Sequence, residues 1–179
     1  MRPRFEDLLK QHEKEIYRFV LRMTGNREDA SDVLQETFMR AFRSLGKLPP
    51  DANHRAWLYR VATRLALNLA RAKRVRQALP IEDALHLEER NGDLESLVET
   101  RRLARVLGDA IRGLSSRQRV ALLQRKYEGL SYREIAFTLG CTEETARAHV
   151  YQAMEKIRRG LSPSSTRSRR GRAIVRRSG

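Results

Sequence analysis

The stretch LSYREIAFTLGCTEETARAHV, Leu130 to Val150, constrains the fold more than any other. Apolar residues recur at helical spacing on both sides of Gly140-Cys141-Thr142, yet the first helical run stops after only about two turns. A loop built for flexibility carries more Gly, Ser and Pro, so a gap this short is a rigid corner. Ile135, Ala136 and Leu139 line one side of the first segment, and Ala146, Val150, Ala153 and Ile157 one side of the second. Thr142 is placed to cap the second segment, with Glu143 and Glu144 favourably set in its first turn. Two such faces pack at a steep angle as a helix-turn-helix; a plain helical hairpin is the bland alternative.

A seam on that side turns Glu144, Arg147, Ala148, Tyr151 and Gln152 outward, and the N-terminal part of such a helix is what enters a major groove. Gln152 suits adenine, Arg147 guanine or phosphate, and Ala148 a thymine methyl. Glu144 and Glu155 repel phosphates, which leaves backbone contacts to Lys156, Arg158, Arg159, Arg125 and Lys126. Cys141 beside the helix start raises the question of a reactive thiol, but a lone Cys usually behaves as a small packed hydrophobe.

The remaining periodicity is helical too, so the chain is expected to be all-α, in two small domains. Phe5, Leu8, Leu9, His12, Ile16, Phe19, Val20 and Met23 form one seam, closed by Gly25; Asn26 caps a second helix with Ala30, Val33, Leu34, Phe38, Ala41 and Leu45 inward. Pro49 and Pro50 end it. A third helix from about Asn53 carries Trp57, Leu58, Val61, Leu65 and Leu69, completing a first domain over 1–76. Ser115 with Gln118 and Ser131 with Glu134 are capping boxes that open helices of a second domain over 101–160. Between them, 77–100 is acidic and reads as a flexible linker, whereas 161–179 holds six Arg and no acid and reads as a disordered basic tail.

Charge narrows the partners. Lys and Arg number 37 against 22 Asp and Glu, a formal net charge of +15, which favours a polyanion, nucleic acid first. No acid lies between His54 and Ala78, while Arg60, Arg64, Arg71 and Arg74 share a stripe suited to phosphates. Trp57 is expected to anchor the core and Tyr59 to be the freer ring, able to stack on unpaired bases beside Arg60 and Thr63. One cysteine and four scattered His give neither a disulfide nor metal-ligand spacing. Neither a signal peptide nor a membrane span is evident, so a cytoplasmic protein without membrane insertion, cofactor, metal or catalytic residue is expected.

The strings REDASDVLQETFMRAFRSL, HRAWLYRVATRLALNLARAKR and LSSRQRVALLQRKYEGLSYREIAFTLGCTEETARAHVYQAMEKIR resemble, in order, the extracytoplasmic-function (ECF) sigma factors of bacterial RNA polymerase. The resemblance implies that the first domain docks on the polymerase core through Asp32, Gln35, Glu36 and Phe38. It also implies reading and opening of the −10 promoter element by Arg55, Tyr59, Arg60, Thr63, Arg64, Asn68, Arg71 and Arg74. The −35 element would fall to Glu144, Thr145, Arg147, Ala148, His149, Tyr151, Gln152 and Lys156. The linker would thread toward the active centre of the polymerase, where its acids follow the path later taken by RNA. A cognate anti-sigma factor, often membrane-bound in such systems, is implied as a further partner.

Two departures stand out: Arg64 replaces the Asn many members carry there, and the common T-V-R-S-R reads Thr145-Ala146-Arg147-Ala148-His149. A free-standing helix-turn-helix regulator is the alternative, and it leaves the first domain and acidic linker without purpose. A nuclease would need convergent carboxylates; Asp29, Asp32 and Glu36 share a helix but suit capping and docking better.

Overall fold

The structure is a computed structural model that describes residues 4–49, 51–76, 107–111 and 113–161. The acidic linker, the first residues of the second domain through 106, and all of the basic tail except Leu161 lie outside the described residues. Among the described residues every regular element is helical.

Helix α1, Phe5–Thr24, buries Leu8, His12, Ile16, Phe19 and Val20, the seam its spacing predicts. It stops where Gly25 takes a left-handed backbone, φ 68°, and returns its N–H to the Leu21 carbonyl at 2.8 Å. Asn26 then accepts the Asp29 N–H at 3.0 Å and opens α2, Arg27–Ser44. A short 3₁₀ turn, Leu45–Lys47, leads to the prolines. Asn53 caps α3, His54–Arg76, by accepting the Ala56 N–H at 2.9 Å. These three helices pack around one another, with Phe19 and Tyr59 meeting edge to face at 5.2 Å.

The inner face of α3 is rotated from the one expected. Ala56, Leu58, Tyr59, Ala62, Thr63 and Ala66 are buried, at most 2% exposed, while Trp57, Val61, Leu65 and Leu69 are half-buried. The cause is that α3 is covered from two sides, by α1 and α2 and also by the second domain. The small Ala side chains let neighbouring helices approach; a seam drawn through large residues alone misses them.

Both expected capping boxes form. Ser115 and Gln118 open α4, Ser116–Lys126, and Ser131 and Glu134 open α5, Tyr132–Leu139; in each, side chain and backbone satisfy one another reciprocally. Helix α6, Glu143–Leu161, follows the corner and buries Ala146, Val150 and Ala153. Leu114, Leu122 and Ala153 form a small second cluster, with Met154 and Ile157 against it. Near its end α6 meets the helical residues 107–111 so closely that a Cβ on Gly160 would lie 2.9 Å from that of Ala110.

The main core is continuous from Leu8 and Phe19 through Leu58 and Ala62 to Val120, Leu130, Ile135 and Val150. Helices α3 and α5 pack on each other, as do α1 and α4, so the two helical groups share one apolar interior. Burying a Leu, Ile or Phe side chain stabilises by roughly 1.5–3 kcal/mol. This shared core holds the two groups against each other.

Candidate nucleic-acid and polymerase interfaces

The corner is built from three local devices. Gly140, at φ +65°, ends α5 in a conformation that costs any other residue steric strain. The Cys141 N–H closes onto the Ala136 carbonyl at 3.0 Å, and Thr142 Oγ1 accepts the Thr145 N–H at 3.2 Å. Cys141 is half-buried, and burial pushes its thiol above the ordinary range against the opposing charge of Arg117. That suits a packed turn residue, not an oxidant-sensing thiolate.

Glu144, Thr145, Arg147, Ala148, Tyr151, Gln152 and Lys156 are exposed on α6, as the periodicity predicts. His149 is half-buried; burial and the Arg117 charge hold its pKa below the usual value, so it is neutral at pH 7. Arg147 reaches Glu143 at 3.3 Å and lies 4.6 Å from the Tyr132 ring centroid, with Arg125 on the same ring at 4.8 Å. Glu155 pairs with Arg158, which lowers its repulsion of an approaching phosphate. Gln152 and Lys156 both bond to the buried Gln118 of α4.

The α3 residues divide into two groups. Arg64, Asn68 and Arg71 are exposed, the Arg74 side chain is outside the described residues, and Asn68 borders a cleft of about 370 Å³ that Asp29, Asp32 and Glu36 also line. Lys73 pairs with Asp29 beside it. The others face the second domain. Tyr59 is fully buried and donates to Glu128 Oε2 at 2.9 Å, so it is not the free ring expected, and the half-buried Trp57 is the more accessible of the two. A phenol in an apolar interior needs a partner for its hydroxyl, and a carboxylate at the end of α4 supplies one. Burial and the charges of Glu128 and Glu15 push the Tyr59 phenol above its ordinary range, so it remains a neutral donor.

Around this bond the contacts continue. Arg22 reaches Glu128 Oε1 at 2.9 Å, and Arg55 donates to the Glu128 carbonyl at 2.7 Å. Arg55 also forks onto Glu15, with bonds of 2.9 to 3.1 Å. Burial alone would raise the Glu15 pKa, but hydrogen bonds from His12 and Arg55 and their charges bring it down to about 2. Thr63 accepts from Gln124 Nε2 at 3.0 Å, and Gln124 Oε1 accepts from Thr138 at 2.6 Å. Arg60 lies over the Phe137 ring at 4.5 Å, and Asn53 donates to Glu134 at 2.8 Å. Pairings of this kind are invisible to periodicity, because the partners sit on different helices or different domains.

On α2, Asp32 and Gln35 are exposed and Glu36 is half-buried, accepting from Arg40 at 2.7 Å. Phe38 is only 6% exposed, so it supports the face from beneath; Phe42, at 68%, and Met39, at 42%, are the apolar residues on the surface. The Phe42 ring meets Phe5 at 5.2 Å, along a groove that Leu9, Leu34, Gln35 and Arg43 also line. Phe42 and Met39 were legible: both are large apolar residues off the seam of an amphipathic helix, which is where a partner rather than the core takes them up.

The described residues form one α-helical body that carries a helix-turn-helix, an architecture found in DNA-binding proteins. Sigma-70 region 2 matches residues 8–76, and Sigma-70 region 4 matches residues 104–157. The chain is 35% identical over 166 residues to the ECF RNA polymerase sigma factor SigE of Mycolicibacterium smegmatis, covering 92% of this chain and 64% of that protein. It is 30% identical to the ECF RNA polymerase sigma-E factor of Haemophilus influenzae, covering 89% of this chain and 88% of that one. Among solved structures, the sigma factor RpoE in complex with the anti-sigma factor NepR from Bartonella quintana superposes at a TM-score of 0.68. That likeness covers 88% of this chain and 96% of that one at 23% identity, and so concerns the fold. The chain belongs to the ECF sigma factors of bacterial RNA polymerase, the subunits that direct promoter-specific initiation of transcription. Membership gives both helical groups a purpose, which a free-standing regulator does not. Among the described residues no helix is long and apolar enough to cross a membrane.

Proposed function

We propose that the chain docks on the polymerase core through the exposed face of α2, with Asp32, Gln35 and Glu36 as its polar part and Met39 and Phe42 as its apolar part. Residues 1–76 and 101–160 act as separate readers joined by 77–100. Helix α6 reads the −35 element, and α3 reads the −10 element. The protein acts in the cytoplasm and contributes binding energy rather than bond chemistry.

The observation that carries this reading is the outward half of α6: seven exposed polar or small residues lie opposite the buried Ala146, Val150 and Ala153. Exposed Arg64, Asn68 and Arg71 are available to a −10 strand as they stand. Tyr59 and Thr63 are covered by Glu128 and Gln124, so their use requires α3 to part from α4 and α5. RpoE and CnrH, two similar folds, were solved with NepR and with the cytosolic domain of CnrY. An anti-sigma polypeptide is accordingly proposed as a partner here. Transcription with core polymerase on a promoter library, with and without the chain, tests the reading; an unchanged set of start sites refutes it.

A further inference from the structure

Gln118 and Gln152 form a pair whose polarity is decided by neighbours that cannot be reversed. Gln118 is 7% exposed, and its Oε1 accepts from the Ser115 backbone N–H at 3.1 Å and from Lys156 Nζ at 2.9 Å. Both neighbours are donors only, so the amide cannot be turned to place its nitrogen there. Its Nε2 therefore points at Gln152, and the 3.0 Å contact requires Gln152 to present its oxygen. One of the two lone pairs of the Gln152 oxygen is thus taken and held toward the protein, while both hydrogens of its exposed NH₂ group remain to offer a ligand.

A free glutamine in a major groove pairs with adenine by accepting from N6 and donating to N7. With its oxygen turned toward Gln118 and both N–H groups free, Gln152 is instead biased toward an edge made of acceptors: O6 and N7 of guanine, or O4 of thymine. The exocyclic amines of adenine and cytosine present it with further donors. We propose that Gln118 is a positioning residue that turns Gln152 toward guanine or thymine in the −35 element. This reverses the adenine pairing expected from sequence, and it rests on the proposed reading of that element by α6.

The test uses holoenzyme assembled from core polymerase and the full chain, with a promoter library randomised across the −35 element. Wild type should favour guanine or thymine over adenine and cytosine at one position by about tenfold. Gln152→Met should flatten that position alone. Gln118→Glu keeps both acceptor duties, to the cap and to Lys156, but has no proton for Gln152; the Gln152 amide should turn over and the preference move to adenine or cytosine. Gln152→Glu, at an exposed site where folding is not at stake, should move it the same way. A Gln118→Glu profile identical to wild type, or a wild-type preference for adenine at the position that Gln152→Met flattens, overturns the inference. If Gln152→Met leaves every position unchanged, the inference fails while reading by α6 stands. If wild type shows no −35 preference anywhere, that reading fails and takes the inference with it.

Discussion

Glu15 shows how one side chain ties two helices. It accepts from His12 within α1 at 2.6 Å and from Arg55 of α3, and its pKa falls from an ordinary 4.5 to about 2. A carboxyl with a lowered folded pKa adds stability that is fully present above its unfolded value and is lost as pH falls through the folded one. Denaturation of the full chain should therefore lose stability between about pH 4.5 and 2, and Glu15→Gln should lack that segment. At neutral pH the same variant should be less stable by about 1–3 kcal/mol, since Arg55 keeps only weaker partners. An acid limb identical in the two proteins would contradict this. At Gly140 the obstacle is backbone strain: no atom lies within 4 Å of an added Cβ, but φ is +65°, so Gly140→Ala should cost about 1–2 kcal/mol in chemical denaturation.

At the scale of elements, α2 has one face in the core, and the opposite face is the one proposed to dock. Val33, Thr37, Phe38 and Ala41 are buried, so changes on the other side should leave the helix intact. Gln35→Ala with Glu36→Ala should weaken core binding with little change in stability, and Phe42→Ala should weaken it further, because an exposed aromatic beside polar residues is the usual form of a binding hot spot. Wild-type affinity in all three would move docking off this face. These elements were readable beforehand where the cause is local: the corner, both capping boxes and the Asn26 cap depend on residues three or four apart. The face of α3 was not, since it is decided by what packs on it. Tyr59 beside Arg60 and Thr63 has the composition of a base-stacking site, yet its ring packs on Phe19 and its hydroxyl is taken by Glu128 from 69 residues away.

At the scale of the whole molecule, among the described residues, Glu128 and Gln124 take most of the polar contacts between the two helical groups, with Asn53–Glu134 beside them. Each bonds to a side chain of α3, Glu128 to Tyr59 and Gln124 to Thr63, and each is buried enough that losing a partner strands the remaining groups. Glu128→Ala with Gln124→Ala should loosen the pairing: the radius of gyration from solution scattering should rise, and binding of a single-stranded −10 oligonucleotide should strengthen as Tyr59 and Thr63 are uncovered. Unchanged scattering and unchanged affinity would show that the apolar part of the interface alone sets the arrangement. Underlying all of this is the claim that the chain works as the promoter-reading part of a larger enzyme. Its most direct test is titration of labelled full-length chain with purified bacterial core polymerase: saturable binding that Gln35→Ala with Glu36→Ala weakens at least several-fold is predicted, and absence of binding by the wild-type chain would contradict it.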